Sequence, residues 1–278
     1  MRLGKKAASY LWGVVALAIA IFVFVIPFIF IFLTASKSPL ESQALEFTPP
    51  SEWRILQNLV EVFQANDFMI FRAFTNSLLL TGFSVVLLVG LAAMSAWVIE
   101  RRGGVVGKIA NFLVLAGLIV PPAVVPTIFL LQALGIYGTF PSMVFIEVAF
   151  GTSFTVMIFR SYISTIPREL DEAAIIDGAN SRQLFFAIVF PLLKPVVVTT
   201  VILNSVFVFN DFVNPLYFLP GEGSETVQLT LYTFSSQYLT EYNLLFMDIL
   251  VITIPMVILF AIFNNRIVAG MTSGSVKG

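Results

Sequence analysis

The chain of 278 residues is 58% hydrophobic and only 11% charged, with a mean hydropathy of +0.96. Average soluble domains are about 25% charged, so this composition excludes an ordinary water-soluble globule, and its hydrophobicity excludes a disordered chain. The sequence has neither Cys nor His, which excludes disulfides, thiolate chemistry and the commonest general base.

Six apolar stretches have lengths suited to helices that cross a bilayer, which takes about 20 residues. In chain order they are Tyr10–Leu33, Thr75–Ile99, Ile109–Ala133, Ser142–Phe159, Leu192–Phe209 and Leu244–Phe263. The first exceeds the ~7–15 apolar residues of a signal peptide, so we interpret it as an uncleaved span. Prolines remove backbone donors within these stretches, and kinks are therefore expected. The sequence predicts an all-α polytopic protein with six transmembrane helices.

Basic residues are concentrated in the loops on one side of these spans. Twelve of the 15 Lys and Arg residues lie near the two ends of the chain or in the segments 100–108 and 160–194. Only Lys37, Arg54 and Arg72 lie on the other side. Because loops rich in Lys and Arg remain in the cytoplasm, both termini are predicted to be cytoplasmic. The spans themselves are expected to contact membrane lipid.

The segment between the fourth and fifth spans, Arg160–Phe190, has the features of helix rather than loop. Pro167 suits a first helical turn, and the acidic residues that follow complement the helix dipole. Gly178 stands where this helix should end, as a residue with positive φ. Asn180 or Ser181 can then cap a second helix.

The first of these helices carries small residues on one face. Residues at helical spacing on that face are Leu170, Ala173, Ala174 and Asp177. A helix this short is not stable alone, so it must pack against something. The pattern leaves two interpretations open: docking on a partner protein, or packing on the protein's own surface.

The order of residues in this segment resembles the EAA loop of ABC importer permeases. Glu172-Ala173-Ala174 is followed by Gly178 after three residues, and later by Ile188 and Pro191, with Phe190 where leucine is usual. Asn210-Asp211-Phe212 is similar to carbohydrate-uptake permeases in particular, and residues 270–278 resemble the tail of the smaller permease of maltose transporters. The resemblance runs from residue 70 to the end of the chain.

The resemblance implies a type I ABC importer permease fold, with residues 1–278 as a single transmembrane domain. It places a family-like core at 70–264, the coupling loop at 160–190 and a cytoplasmic tail at 265–278. It assigns ATPase coupling to Glu172, Ala173, Ala174, Asp177 and Gly178. It assigns the ATPase contacts of the tail to Gly270, Thr272, Gly274 and Lys277.

The resemblance also implies partners. A second permease subunit pairs with this one, two ATPase subunits dock beneath them, and an extracytoplasmic binding protein delivers the sugar. ATP and Mg are expected on the partner ATPase, with no cofactor, metal or nucleic acid on this chain. Consistent with that division, Gly107-Lys108 lacks the first glycine of a Walker motif and is followed by Ile109.

An ion-coupled secondary transporter is the alternative function. Such proteins usually show internal repeats and ionisable residues near the midplane, whereas no repeat is evident here and most charges lie in loops. An intramembrane enzyme is a third class, but the chain has no His, Cys or paired carboxylates within its spans. The chain is therefore predicted to be non-catalytic by itself.

Several polar residues lie within or beside the predicted spans and are candidates for a gate or a substrate path: Glu147, Asn204, Asn210 and Asp211. A carboxylate inside a span is costly and often functional. Glu147 lies near the outer end of its span, so we favour extension of its side chain to the membrane surface over a transport role. The other three residues can bind sugar hydroxyls or simply end a helix.

Overall fold

The computed structural model describes residues 12–101, 104–221, 223–235 and 241–273. These residues form helices and no β-strand. The helices are α1 Trp12–Ala35, α2 Pro39–Ser42, α3 Ile55–Arg101, α4 Gly104–Ile119, α5 Val124–Ala133, α6 Phe140–Ile163, α7 Glu169–Ile176, α8 Ser181–Leu192, α9 Lys194–Phe209, α10 Val213–Phe218, α11 Val227–Phe234 and α12 Tyr242–Ser273.

Three helices, α1, α3 and α6, are long and apolar enough to cross a membrane. Within α3 the backbone is not helical at residues 65–68, so a kink divides this helix. Counting each bent pair as one span, α4 with α5 and α8 with α9, raises the number to five in the described part of the chain. The last helix adds a shorter apolar segment, Tyr242–Ile258. The all-α class is therefore confirmed, while the count of six spans and the side of the termini stay predictions.

Two of the predicted spans are not single helices. Ile109–Ala133 is divided into α4 and α5, which are bent by 117° because Pro121 and Pro122 interrupt the chain between them. The helix predicted at Leu192–Phe209 begins two residues later, at Lys194, since α8 ends at Leu192 and meets α9 at 75°. The prolines thus cause breaks that are sharper than the expected kinks.

The described residues divide into two compact units. Unit 1 is drawn from Met1–Phe71 and Thr230–Pro255. It contains a buried ammonium group: Lys37 is 1% exposed, and its Nζ donates to the backbone oxygen of Glu46 at 2.7 Å and to Thr48 Oγ1 at 3.0 Å. These hydrogen bonds compensate for the loss of water around the charge.

Unit 2 is drawn from Arg72–Leu229 and Met256–Gly278 and contains the larger apolar core. Helix α6 packs there against α4, α9 and α10. Ala92, Ala93 and Ala96 of α3 are fully buried, and such small side chains let neighbouring helices approach closely. The coupling loop and all four gate candidates belong to this unit.

Candidate functional site

The predicted coupling loop folds as two helices, α7 and α8, joined by a glycine turn. The N–H of Ala179 donates to the oxygen of Ala174 at 2.9 Å, and the N–H of Gly178 donates to the oxygen of Ile175 at 3.0 Å. These two bonds define a Schellman helix end. Gly178 has a φ of +86°, which glycine adopts without a Cβ penalty, so the predicted positive φ is confirmed.

Helix α8 begins with a reciprocal cap. Asn180 Oδ1 accepts from the N–H groups of Arg182 and Gln183 at 3.1 and 3.0 Å, and Gln183 Oε1 accepts from the N–H of Asn180 at 2.9 Å. This capping box satisfies N–H groups that a helix start otherwise leaves unpaired. The turn between α7 and α8 is thus fixed at both ends by local hydrogen bonds.

The residues of α7 separate into an inner and an outer face. Asp171 and Ala174 are buried, and Ala174 belongs to the core of unit 2. Ile176, on the outer face, is 84% exposed. Four residues of the predicted coupling set are exposed as well: Glu172, Ala173, Asp177 and Gly178. Of the five predicted coupling residues, therefore, Ala174 packs on its own protein and the other four remain open to solvent.

An ion pair ties α7 to the end of α3. Arg101 Nε lies 2.6 Å from Asp171 Oδ2, and the two side chains are only 11% and 12% exposed. Arg101 also donates from its guanidinium to the backbone oxygen of Ile166 at 3.0 Å. One arginine therefore holds both the start of α7 and the chain that leads into it.

A second arginine, Arg160, ties α6 to the end of α3. Arg160 lies 3.2 Å from Glu100 Oε2 and donates to Asn111 Oδ1 of α4. Arg168 donates to the backbone oxygen of Glu100 at 3.2 Å. We call Glu100, Arg101, Arg160, Arg168 and Asp171 the arginine cluster. It joins the ends of α3 and α6 to the coupling loop.

A cavity of about 660 Å³ lies beside α6, α9 and α10. Its polar wall contains all four gate candidates predicted from the sequence, together with Asn214. Its apolar wall includes the rings of Phe150, Phe154 and Phe207. The structure thus brings together residues that are more than 60 positions apart in the sequence.

Two carboxyl groups line the cavity, those of Glu147 and Asp211. The Glu147 side chain is only 7% exposed. Glu147 Oε1 has no hydrogen-bond partner within the described residues. The favoured prediction that Glu147 extends to the membrane surface is therefore wrong, because the protein covers the side chain.

Asp211 holds the start of α10. Its Oδ1 accepts from the N–H groups of Val213 at 2.9 Å and Asn214 at 3.2 Å, and its Oδ2 accepts from Asn214 Nδ2 at 2.5 Å. These bonds supply acceptors for N–H groups at a helix start. Asp211 therefore has a structural role as well as a place on the cavity wall.

The amide residues of the cavity differ in burial. Asn204 is 4% exposed and donates from Nδ2 to Thr155 Oγ1 at 3.2 Å, which joins α9 to α6. Asn210 is exposed, and its Oδ1 accepts from Gln228 Nε2 at 3.2 Å. Asn204 is thus a helix-packing residue, whereas the exposed Asn210 also donates from Nδ2 to the backbone oxygen of Val206 at 2.8 Å. No group of three or more acidic side chains among the described residues could hold a metal ion.

Comparison with known proteins identifies the family. Residues 88–273 match the family described as "Binding-protein-dependent transport system inner membrane component". The chain belongs to this family. It is 35% identical over 209 residues to the melibiose/raffinose/stachyose import permease protein MelC of Bacillus subtilis, with 74% of this chain and 76% of that protein covered. It is 28% identical over 249 residues to the diacetylchitobiose uptake system permease protein NgcG of Streptomyces coelicolor, covering 88% and 82%.

Solved structures show the same fold. A bacterial ABC transporter involved in the import of the acidic polysaccharide alginate matches with a TM-score of 0.75 at 18% identity, covering 95% of this chain and 96% of that one. The alginate transporter in complex with an alginate pentasaccharide-bound periplasmic protein matches with a TM-score of 0.70 at 14% identity, covering 95% of each chain. The fold of this inner membrane component is therefore that of an ABC transporter membrane chain.

The predicted tail of the inner membrane component begins as helix. Gly270 and Thr272 lie in α12, which continues to Ser273, so residues 265–273 are not an irregular extension. Gly274 and Lys277 lie outside the described residues.

Sequence reasoning missed the pairing of Arg101 with Asp171. The spacing of Asp171 and Ala174, three residues apart, was the available signal that both face inward.

Proposed function

We propose that this chain is a permease subunit of an ATP-driven, binding-protein-dependent importer of a di- or oligosaccharide. The names of the relatives support the cargo, since they are permeases for melibiose, raffinose and stachyose or for diacetylchitobiose. The ion-coupled alternative is not retained, because the family is that of binding-protein-dependent transport components. The chain acts as a single permease domain with six spans and cytoplasmic termini.

The observation that carries the proposal is the exposed face of α7 on a firmly held helix. Glu172, Ala173, Asp177 and Gly178 are open to solvent, while Asp171 on the opposite face is fixed by Arg101. A helix held by one face and exposed on the other is suited to transmit force from a docked partner. The exposed, apolar Ile176 adds a contact that favours a protein partner over water.

In the proposed importer, the docked partners are two ATPase subunits, each expected to bind ATP and Mg. Glu172 offers a charge to a basic group of the ATPase, Ala173 allows close approach, and Ala174 fixes the helix by packing inward. Gly270, Thr272, Gly274 and Lys277 reach toward the ATPases. A second permease and an extracytoplasmic sugar-binding protein complete the complex. ATPase closure then drives alternating access of the path beside Glu147 and Asp211.

Copurification tests this function. A tagged chain extracted in mild detergent should bring a soluble ATPase and a second permease in fixed ratio. Glu172→Gln should lower the ATPase recovered per permease, whereas Glu169→Gln, which removes the same charge three residues earlier on α7, should retain it. Recovery of the chain without any ATPase, or equal loss in both variants, would contradict the proposed coupling site.

A further inference from the structure

The cavity beside α6 carries charge of one sign. Its described lining contains the carboxyl groups of Glu147 and Asp211 and no Lys or Arg side chain. The Glu147 side chain is buried, and its Oε1 has no partner in the described part of the chain. A cleft with apolar walls and charges of one sign focuses the electric field and enriches ions of the opposite sign by roughly 10- to 1,000-fold.

No base offsets the two acidic side chains of the cavity. Its described lining contains no Lys or Arg, so an ionised carboxyl group there leaves the cavity negative. Asp211 is held in place by hydrogen bonds from Val213 and Asn214, so it cannot swing away from Glu147 without uncapping α10. An acidic sugar in the cavity would therefore meet a fixed negative charge.

An uncharged saccharide suits the same walls. Carboxylate oxygens accept hydrogen bonds from hydroxyl groups, and the Asn210 amide can both donate and accept. Phe154 and Phe207 supply exposed apolar surface for the faces of sugar rings. The volume of about 660 Å³ lies within the roughly 300–1,000 Å³ typical of small-molecule pockets.

We propose that Glu147 and Asp211 form a subsite that admits uncharged saccharide units and excludes acidic ones. This inference rests on the proposed function for the identity of the cargo. The charge preference itself can be measured without any sugar. The alginate transporter shares the fold at 18% identity, and its acidic cargo therefore does not determine the charge preference of this cavity.

Thiol labelling of the purified complex tests the charge preference. The natural chain has no cysteine, so Phe154→Cys introduces one thiol on the cavity wall. Cationic and anionic methanethiosulfonate reagents of similar size are compared, and labelling of this chain is counted by mass spectrometry. At this thiol we expect the ratio of the cationic to the anionic labelling rate to exceed the same ratio for a free thiol by about tenfold or more.

Isosteric variants give the decisive controls. In the Phe154→Cys background, the double variant Glu147→Gln/Asp211→Asn should move the ratio to that of a free thiol, and Glu52→Gln, an exposed acid of unit 1, should not. A neutral oligosaccharide should protect the thiol from labelling more than its uronate analogue does. A wild-type ratio equal to that of a free thiol, a ratio unaffected by the double variant, or equal protection by the two sugars would overturn the proposal. None of these results would affect copurification with an ATPase.

Discussion

The ion pair between Arg101 and Asp171 predicts a large, local effect of a single isosteric change. Asp171→Asn keeps the shape of the side chain but leaves the guanidinium of Arg101 without its counter-charge. Removing one partner of a buried ion pair costs roughly 3–5 kcal/mol. Because each side chain keeps about a tenth of its surface exposed, we expect the lower end, about 3 kcal/mol.

This cost should appear as local opening of the coupling loop. About 3 kcal/mol corresponds to a roughly 100-fold change in an equilibrium constant. Hydrogen exchange of the amides in α7 should therefore accelerate by up to that factor, since exchange measures local opening. As the amides of α7 lose protection from exchange, the sugar-stimulated ATPase activity of the complex should also fall. The amount of inserted permease should stay the same.

A double-mutant cycle separates the loss of the pair from the loss of packing. The cycle compares Arg101→Met and Asp171→Leu, made singly, with the two changes combined. The double variant removes both charges and should recover most of the protection, because the penalty in each single variant arises from an unpaired charge. Arg168→Met is the matched control. Its hydrogen bond to Glu100 is exposed and should contribute less than about 1 kcal/mol. Unchanged exchange in Asp171→Asn, or a double variant as open as the single ones, would refute the assigned role of the pair.

Two further predictions concern the turn and the topology. At Gly178 an added Cβ meets no atom within 4 Å, so substitutions there act through the backbone alone. Gly178→Ala should cost about 1 kcal/mol of turn stability, Gly178→Val more and Gly178→Asn less. Equal sugar-stimulated ATPase activity in all three variants would contradict a positive-φ hinge. In intact cells an impermeant thiol reagent should label Gln43→Cys but not Ser164→Cys, because the basic residues favour a cytoplasmic 160–190 segment. Labelling from outside at position 164 would reverse the predicted orientation.

The sequence predicted the helical elements well where the signal was local. Apolar length identified the long helices, and the acidic first turn, Gly178 and Asn180 identified both ends of the coupling turn. The breaks at Pro121 and before Lys194 were predicted only as kinks. Proline removes one donor and disturbs one turn, but the bend angle depends on how the helices on either side pack, which no local pattern records.

The site was predicted in composition but not in contacts. The cavity residues were named from their types and their position near span ends, yet nothing in the sequence joined Glu147 to Asp211, 64 positions away. Arg101 was counted only as a cytoplasmic charge. Its pairing with Asp171 depends on how α3 and α7 pack within unit 2, and a salt bridge between distant segments leaves no periodic pattern.

Helix α6 connects the cavity to the coupling loop within unit 2. Glu147 lies near its start and Arg160 near its end, 13 residues apart, which is about 20 Å along a helix. The joint between α6 and α7 includes Ser164 and Thr165, and a flexible joint there would absorb any movement of the coupling helix. Two ion pairs, Arg160 with Glu100 and Asp171 with Arg101, instead tie both sides of the joint to the end of α3. Force on the exposed face of α7 should therefore move α6 as a rigid element, and the Glu147 wall of the cavity with it. If an ATPase docks on α7 as proposed, these two ion pairs determine how strongly the docking acts on the cavity.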